Sequence, residues 1–273
     1  MHRERVRVRT GSPDVTFLGR RYRRWAVACG LLAGGVGGCG EAPDPAGEPL
    51  LVMAAASLNA AMPELIERFE AAEGSAVELV LASTGSLAAQ IENGAPADLF
   101  FSADEETVER LSASGEIRSA TVETYATGRL VLTWRSDLKR PDSLAAIGEA
   151  AYATIAIANP EHAPYGAAAR QVIERVGMWE PLQERMVLGE NVAQAYQFVR
   201  TGNADLAIVA RSVLAPAATE YMAIDSALHL PIRQSAGILE RSAHPAASEF
   251  LEFVMDREGQ AILVENGFGP APG

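Results

Sequence analysis

From Leu50 onward, short apolar runs alternate with stretches whose apolar residues recur at helical spacing. Leu50–Ala54 is an apolar run of strand length, and Leu65, Ile66 and Phe69 then mark one face of a helix over about 58–72, closed by Gly74. Pro63 belongs in a first turn, which moves that helix start from Ser57 toward Asn59. Val77–Leu81 reads as the next strand, followed by the loop Ala82-Ser83-Thr84-Gly85-Ser86 and a helix over about 86–92. Strands follow at Asp98–Phe101, Arg129–Trp134, Thr154–Ala158, Met186–Leu188 and Ala204–Val209, then near Tyr221–Ala223 and Leu230–Leu239. Between them the spacing predicts helices opening at Asp104, over Pro141–Ala150, after Tyr165 as far as Val176, and from Val192 to Arg200, with two more at 244–256 and 258–266. Such alternation predicts an α/β protein with parallel sheets covered on both faces.

In sheets of that kind, ligands gather where strand ends lead into helix N-termini, whose first N–H groups lack partners and carry the positive end of the helix dipole. Four junctions here are built from hydroxyl, small, glycine or proline residues: Ala56–Asn59, Ser83–Ser86, Pro164–Gly166 and Glu190–Val192. Aimed at one point, they would form a neutral trap for a small anion. A lone Ser57 is as readily a helix cap, Thr84 and Ser86 are good turn residues with Ser86 suited to capping, and Tyr165 suits packing at a helix start. At Val192 only the backbone amide is a candidate. Turn and cap roles explain Asp98 and Asp104.

The first 38 residues have a different character. Arg20, Arg21, Arg23 and Arg24 precede an apolar and glycine stretch, Trp25–Gly38, too short to span a membrane and of signal-peptide length. It ends in Val36-Gly37-Gly38-Cys39, which resembles a lipoprotein processing site; 1–38 is then a signal peptide, Cys39 the lipidation point, and 39–49 a Pro-, Gly- and acid-rich tether. Those 38 residues hold eight of the 23 basic and two of the 35 acidic residues, leaving 15 and 33, a formal charge of −18. So acidic a surface argues against nucleic acid or an anionic membrane face as partner; membrane attachment would come through the lipid alone. With Cys29 in the signal core and Cys39 at the anchor, no cysteine remains for a disulfide or a cysteine metal site.

Catalytic constellations are sparse. Ser136-Asp137-Leu138-Lys139 fits S-x-x-K without its companion elements, neither G-x-S-x-G nor H-E-x-x-H occurs, and His162 suits a turn rather than chemistry. The sequence therefore reads as a non-enzymatic binding protein without a cofactor or free metal cation.

The stretches AAASLNAAMPELIERFE, LASTGSLAAQIENGAPADLFFSAD, IANPEHAPYGAAA, GENVAQAYQFVRTGNADLAIVA and GQAILVENGF resemble the periplasmic molybdate-binding proteins, in that family's order over nearly all of 50–268. The resemblance implies a two-lobed periplasmic binding-protein fold of class II with the ligand cleft between lobes, lobe one being 48–127 plus 236–273 and lobe two 128–235. It implies a receptor in the periplasm or on the outer face of a membrane that binds molybdate or tungstate and delivers it, as a monomer, to an ABC permease. A receptor for another tetrahedral oxyanion such as sulfate, or an oxyanion-sensing lipoprotein, stays open beside it. Carried over by position, Ser57 would hold the oxyanion by hydroxyl and amide, Thr84 stands where a second serine is common, and Tyr165 and Val192 would donate backbone N–H groups. Ala210 stands where part of the family has a tyrosine hydroxyl.

Overall fold

The structure, a computed structural model, describes residues 48–272. The expected signal peptide 1–38, Cys39 and nearly all of the tether lie outside the described residues.

Ten strands form two five-stranded sheets. The first contains β1 (Leu50–Ala55), β2 (Val77–Ala82), β3 (Leu99–Phe101), β4 (Glu123–Thr127) and β10 (Arg233–Ile238) in the order β2-β1-β3-β10-β4. The second contains β5 (Leu130–Trp134), β6 (Ile155–Ala158), β7 (Met186–Gly189), β8 (Leu206–Ala210) and β9 (Tyr221–Ala223) in the order β7-β6-β8-β5-β9. β1 and β6 are buried almost throughout, as strands flanked by parallel neighbours and covered on both faces must be.

Neither sheet is wholly parallel, which corrects the expectation from simple alternation. β10 runs antiparallel to both β3 and β4, and β5 runs antiparallel to both β8 and β9. The cause is the path of the chain: it leaves the first lobe after β4, enters the second as β5, and returns from β9 as β10, so each sheet accepts one strand arriving from the other lobe. β10 begins at Arg233, so Arg233–Ser235, which the sequence boundary assigned to lobe two, pair with β4 in the first sheet. The two crossings are themselves joined where Gly128 N donates to Ile232 O (2.7 Å).

Each lobe has its own core. One face of the first sheet packs Leu65 and Phe69 of α1 (Ala61–Glu73), Phe250 and Val254 of α7 (Ala246–Met255) and Ile262 of α8 (Arg257–Glu265). The other packs Leu87 and Ile91 of α2 (Thr84–Glu92) and Val108 and Leu111 of α3 (Glu105–Ala113). The second sheet buries Val172 and Ile173 of α4 (Pro164–Arg175), Leu182 of α5 (Trp179–Leu182) and Val192, Ala195 and Val199 of α6 (Val192–Arg200). The predicted 141–150 helix is a short 3-10 segment, Leu144–Gly148.

Two glycines let helices start close against strand ends. A Cβ at Gly166 would stand 2.3 Å from the Ala158 carbonyl oxygen at the end of β6, and one at Gly189 would stand 2.8 Å from the Ala195 amide of α6. The first turns of α4 and α6 therefore lie directly at the carboxyl ends of β6 and β7.

Candidate functional site

The four hydroxyl-, proline- or glycine-bearing junctions come together. A cavity with about 210 Å3 of empty space, its open side included, is lined by Ala55, Ala56, Ser57, Ser83, Thr84 and Ala103 from the first lobe and by Ala163, Pro164, Tyr165, Asn191 and Val192 from the second. Ser57, Thr84, Tyr165 and Val192 all belong to this lining. Ala210 does not: it is buried in β8 opposite Leu130. The cavity is smaller than the ~300–1,000 Å3 of pockets for drug-sized ligands, so its occupant is small. No carboxylate, ammonium or guanidinium lines it.

Ser57 sits differently from the expectation. It lies in a separate 3-10 turn, Ala56–Leu58, while α1 starts only at Ala61, which puts Pro63 inside the first helical turn where its missing N–H is harmless. The cap of α2 is also reassigned. Ser83 caps that helix, its Oγ accepting from the Ser86 amide (3.3 Å), so Ser86 is the capped residue and not the cap.

Backbone donors left in the lining follow from what the first turns already use. In α4, Pro164 has no N–H, and the amides of Gly166 and Ala167 donate to the Ala163 carbonyl (2.8 and 3.0 Å). The Tyr165 amide is then the first-turn donor with no acceptor in its own helix. In α6, Gln194 N donates to Asn191 Oδ1 (3.0 Å) and Ala195 N to Asn191 O (3.1 Å), which leaves the amides of Val192 and Ala193. In α2, Gly85 N donates to His162 O (2.9 Å) across the lobes, Leu87 N to Ser83 O (3.0 Å), and the Thr84 amide remains. The 3-10 turn uses Asn59 N on Ala56 O (3.3 Å) and leaves the Ser57 amide. Two lobes thus present N–H groups and hydroxyls to one small space, a donor set fit for an anion that only accepts.

Behind the lining lies a buried polar network that sequence reasoning missed. Ser57 Oγ is 3.1 Å from Gln234 Oε1, Tyr125 OH is 3.0 Å from the same atom, and Gln234 Nε2 is 2.9 Å from Tyr165 OH. Ser212 Oγ donates to the Ser57 carbonyl (2.8 Å), a second bond between lobes. Burial pushes the Tyr165 phenol well above its ordinary range, against the pull of hydrogen bonds from Gln234 and Ser212. Burial likewise raises the Tyr125 phenol, helped by the charges of Tyr165 and Asp104. Tyr165 thus faces the cavity with its amide and the inter-lobe crossing with its ring: a Cβ on Gly128 would stand 2.4 Å from its hydroxyl oxygen. The sequence signal for this network was a glutamine inside an otherwise small or apolar strand, QSAGI.

Thr84 Oγ1 accepts from the Ala103 amide (2.9 Å), which leaves its own proton for another acceptor. Asp98 holds Leu51 N (2.9 Å) and Ser242 Oγ (2.6 Å), and Asp104 caps α3 through Thr107 N (2.7 Å), the structural roles expected of them. Among the described residues no group of three or more His, Cys, Asp or Glu is arranged to hold a metal ion.

Comparison with known proteins agrees with this architecture. The family described as bacterial extracellular solute-binding protein matches residues 50–269. The molybdate-binding protein ModA of Azotobacter vinelandii is 35% identical over 223 residues, covering 80% of this chain and 88% of that protein. A putative ABC transporter substrate-binding lipoprotein of Bacillus subtilis, YvgL, is 29% identical over 225 residues, 80% of this chain and 85% of that one. Among solved structures, the periplasmic molybdate-binding protein of Azotobacter vinelandii superposes with a TM-score of 0.77 at 32% identity, covering 82% of this chain and all of that one. With two mixed α/β lobes in the class II periplasmic binding-protein arrangement and a small cavity between them, the chain belongs to the bacterial extracellular solute-binding proteins, the solute receptors of ABC transporters.

Proposed function

We propose that this protein is the receptor for molybdate, and for tungstate of the same charge and shape, which it hands to an ABC permease from a lipid anchor at Cys39. The observation that carries the reading is the lining itself: Ser57, Thr84, Tyr165 and Val192 bring donors from both lobes to a cavity with no ionised side chain. A tetrahedral dianion that keeps no proton accepts hydrogen bonds at every oxygen and offers none, so a carboxylate in the lining would repel it and a donor-only lining suits it. Each hydrogen bond to a charged group contributes about 1.5–3 kcal/mol. A handful of them offsets the cost of closure and reaches the ~12 kcal/mol of nanomolar affinity. The names of the relatives support the ligand class, since the Azotobacter vinelandii and Rhodobacter capsulatus proteins, 35% and 34% identical, are both molybdate-binding. Absence of a fixed cation in the lining suits a carrier that must release its cargo. In this reading the chain crossings at 127/128 and near 232 are the hinge.

Calorimetric titration of the protein with molybdate, tungstate, sulfate and phosphate tests it. Tight binding of the first two with no heat from the others is expected. Binding of sulfate or phosphate alone would keep the site and change the ligand; silence from all four would leave the sensor reading in its place.

A further inference from the structure

Gln234 is wholly buried, as are the groups around it: Tyr125, Ser57, Ser102, Ser212 and Tyr165 are each at most 2% exposed. In such a place every proton needs an acceptor, and the protons can be counted. The oxygen and nitrogen of a carboxamide occupy nearly the same space, so the same side-chain position serves either way round.

With Oε1 toward Ser57 and Tyr125, the count fails. Tyr125 has one proton for two acceptors, Gln234 Oε1 and the Ser102 carbonyl, each 3.0 Å away. Nε2 has two protons and one partner, Tyr165 OH at 2.9 Å. Ser57 directs its proton at Gln234, 3.1 Å away, and turns lone pairs to the cavity. With the carboxamide turned over, each mismatch disappears. The two Nε2 protons go to Ser57 Oγ and Tyr125 OH, Tyr125 donates to the Ser102 carbonyl, and Tyr165 donates to Oε1. Ser212 still donates to the Ser57 carbonyl (2.8 Å). One proton is left without a protein acceptor, that of the Ser57 hydroxyl, and it faces the cavity.

We propose that Gln234 is a positioning residue which, by donating to Ser57 Oγ, fixes that hydroxyl as a donor toward the cavity and so selects fully deprotonated oxyanions against protonated ones such as monohydrogen phosphate. The inference rests on the oxyanion-receptor reading above and adds the element that distinguishes anions of equal charge. A Ser57 lone pair turned to the cavity would welcome the proton of monohydrogen phosphate; a Ser57 proton turned there meets it head-on.

A double-mutant cycle with the full-length protein reads this out. Gln234→Glu offers only acceptors, so Ser57 must donate to it and present lone pairs to the ligand. Molybdate is titrated into the wild type, Ser57→Ala, Gln234→Glu and the double variant at mildly alkaline pH. Ser57→Ala is expected to weaken molybdate binding about ten- to hundred-fold in the wild-type background. In the Gln234→Glu background, the same substitution is expected to cost nothing or to restore affinity. The same loss in both backgrounds would mean that the new carboxylate acts by charge alone, and would overturn the proposal. Should Gln234→Glu not fold, nuclear Overhauser contacts in the wild type decide: the Nε2 protons of Gln234 are expected near the Tyr125 ring, and contacts to the Tyr165 ring in their place overturn the assignment. A wild type that binds no oxyanion overturns the receptor reading and this one with it, whereas binding with additive losses overturns only the role of Gln234.

Discussion

Gly85 and His162 meet across the two lobes: the Gly85 amide donates to the His162 carbonyl (2.9 Å), and a Cβ on residue 85 would stand 2.8 Å from the His162 Cβ and 3.0 Å from that carbonyl oxygen. Residue 85 is in the first turn of α2, beside Thr84 of the cavity lining, so the clash acts on closure and not on either core. Overpacking of this kind costs about 1–3 kcal/mol. Gly85→Ala is therefore expected to weaken oxyanion affinity about five- to hundred-fold while the unfolding midpoint of the free protein hardly moves. Titration beside a thermal melt checks both; unchanged affinity would mean that the 159–163 loop gives way.

Thr84 separates a hydroxyl used for the fold from one used for the ligand. Its Oγ1 is the acceptor for the buried Ala103 amide (2.9 Å). Thr84→Val strands that N–H, at about 1–3 kcal/mol, and removes a donor from the cavity as well. Thr84→Ser keeps both. Denaturant unfolding should rank serine near wild type and valine below it, with ligand titration giving the same order. Equal affinities for the two variants would take the Thr84 hydroxyl out of the site.

Much of this site was legible from sequence for a plain reason: Ser57, Thr84, Tyr165 and Val192 each stand where an apolar strand gives way to a helix, and strand ends in one α/β sheet point the same way. The 3-10 turn at Ala56–Leu58 was partly foreshadowed by Pro63, which cannot lie deep in a helix. Gln234 was out of reach. In QSAGI a polar residue reads as the solvent face of a strand, and only the insertion of β10 between β3 and β4 buries it. Nor does alternation of strands and helices report direction, so the antiparallel β5 and β10 emerged only from the path between lobes. Ser83 and Ser86 show a further limit, since two serines three residues apart can each serve as cap or capped, and the helix start decides which.

Donors from both lobes require closure. The amides of Ser57 and Thr84 approach from the first lobe and those of Tyr165 and Val192 from the second, so a bound oxyanion bridges the lobes and shifts the population toward the closed form. Small-angle scattering should give a smaller radius of gyration with saturating molybdate than without it. Identical profiles would mean that the ligand enters a cleft already closed, an outcome with a structural basis in the inter-lobe bonds Ser212 Oγ to Ser57 O and Gly85 N to His162 O.

The buried phenols give the protein an alkaline limit. Burial is the main cause that raises both Tyr125 and Tyr165 above the ordinary phenol value of 10.0, so each keeps its proton in the folded state at pH values where an unfolded tyrosine has lost it. The unfolded chain then binds fewer protons than the native one, and stability falls as pH rises. This contribution is fully present below 10.0 and declines above it, by about 1.4 kcal/mol per pH unit for each phenol until its folded-state value is reached. Tyr152, raised by burial and by Glu149, adds to the same trend. Unfolding free energies measured by denaturant from neutral to strongly alkaline pH should show this slope in the wild type. Tyr125→Phe should lower stability at neutral pH, because the bond to the Ser102 carbonyl (3.0 Å) is lost, yet make the alkaline slope shallower. An unchanged slope in that variant would mean that Tyr125 ionises as readily in the folded protein as in the unfolded chain, contrary to its burial.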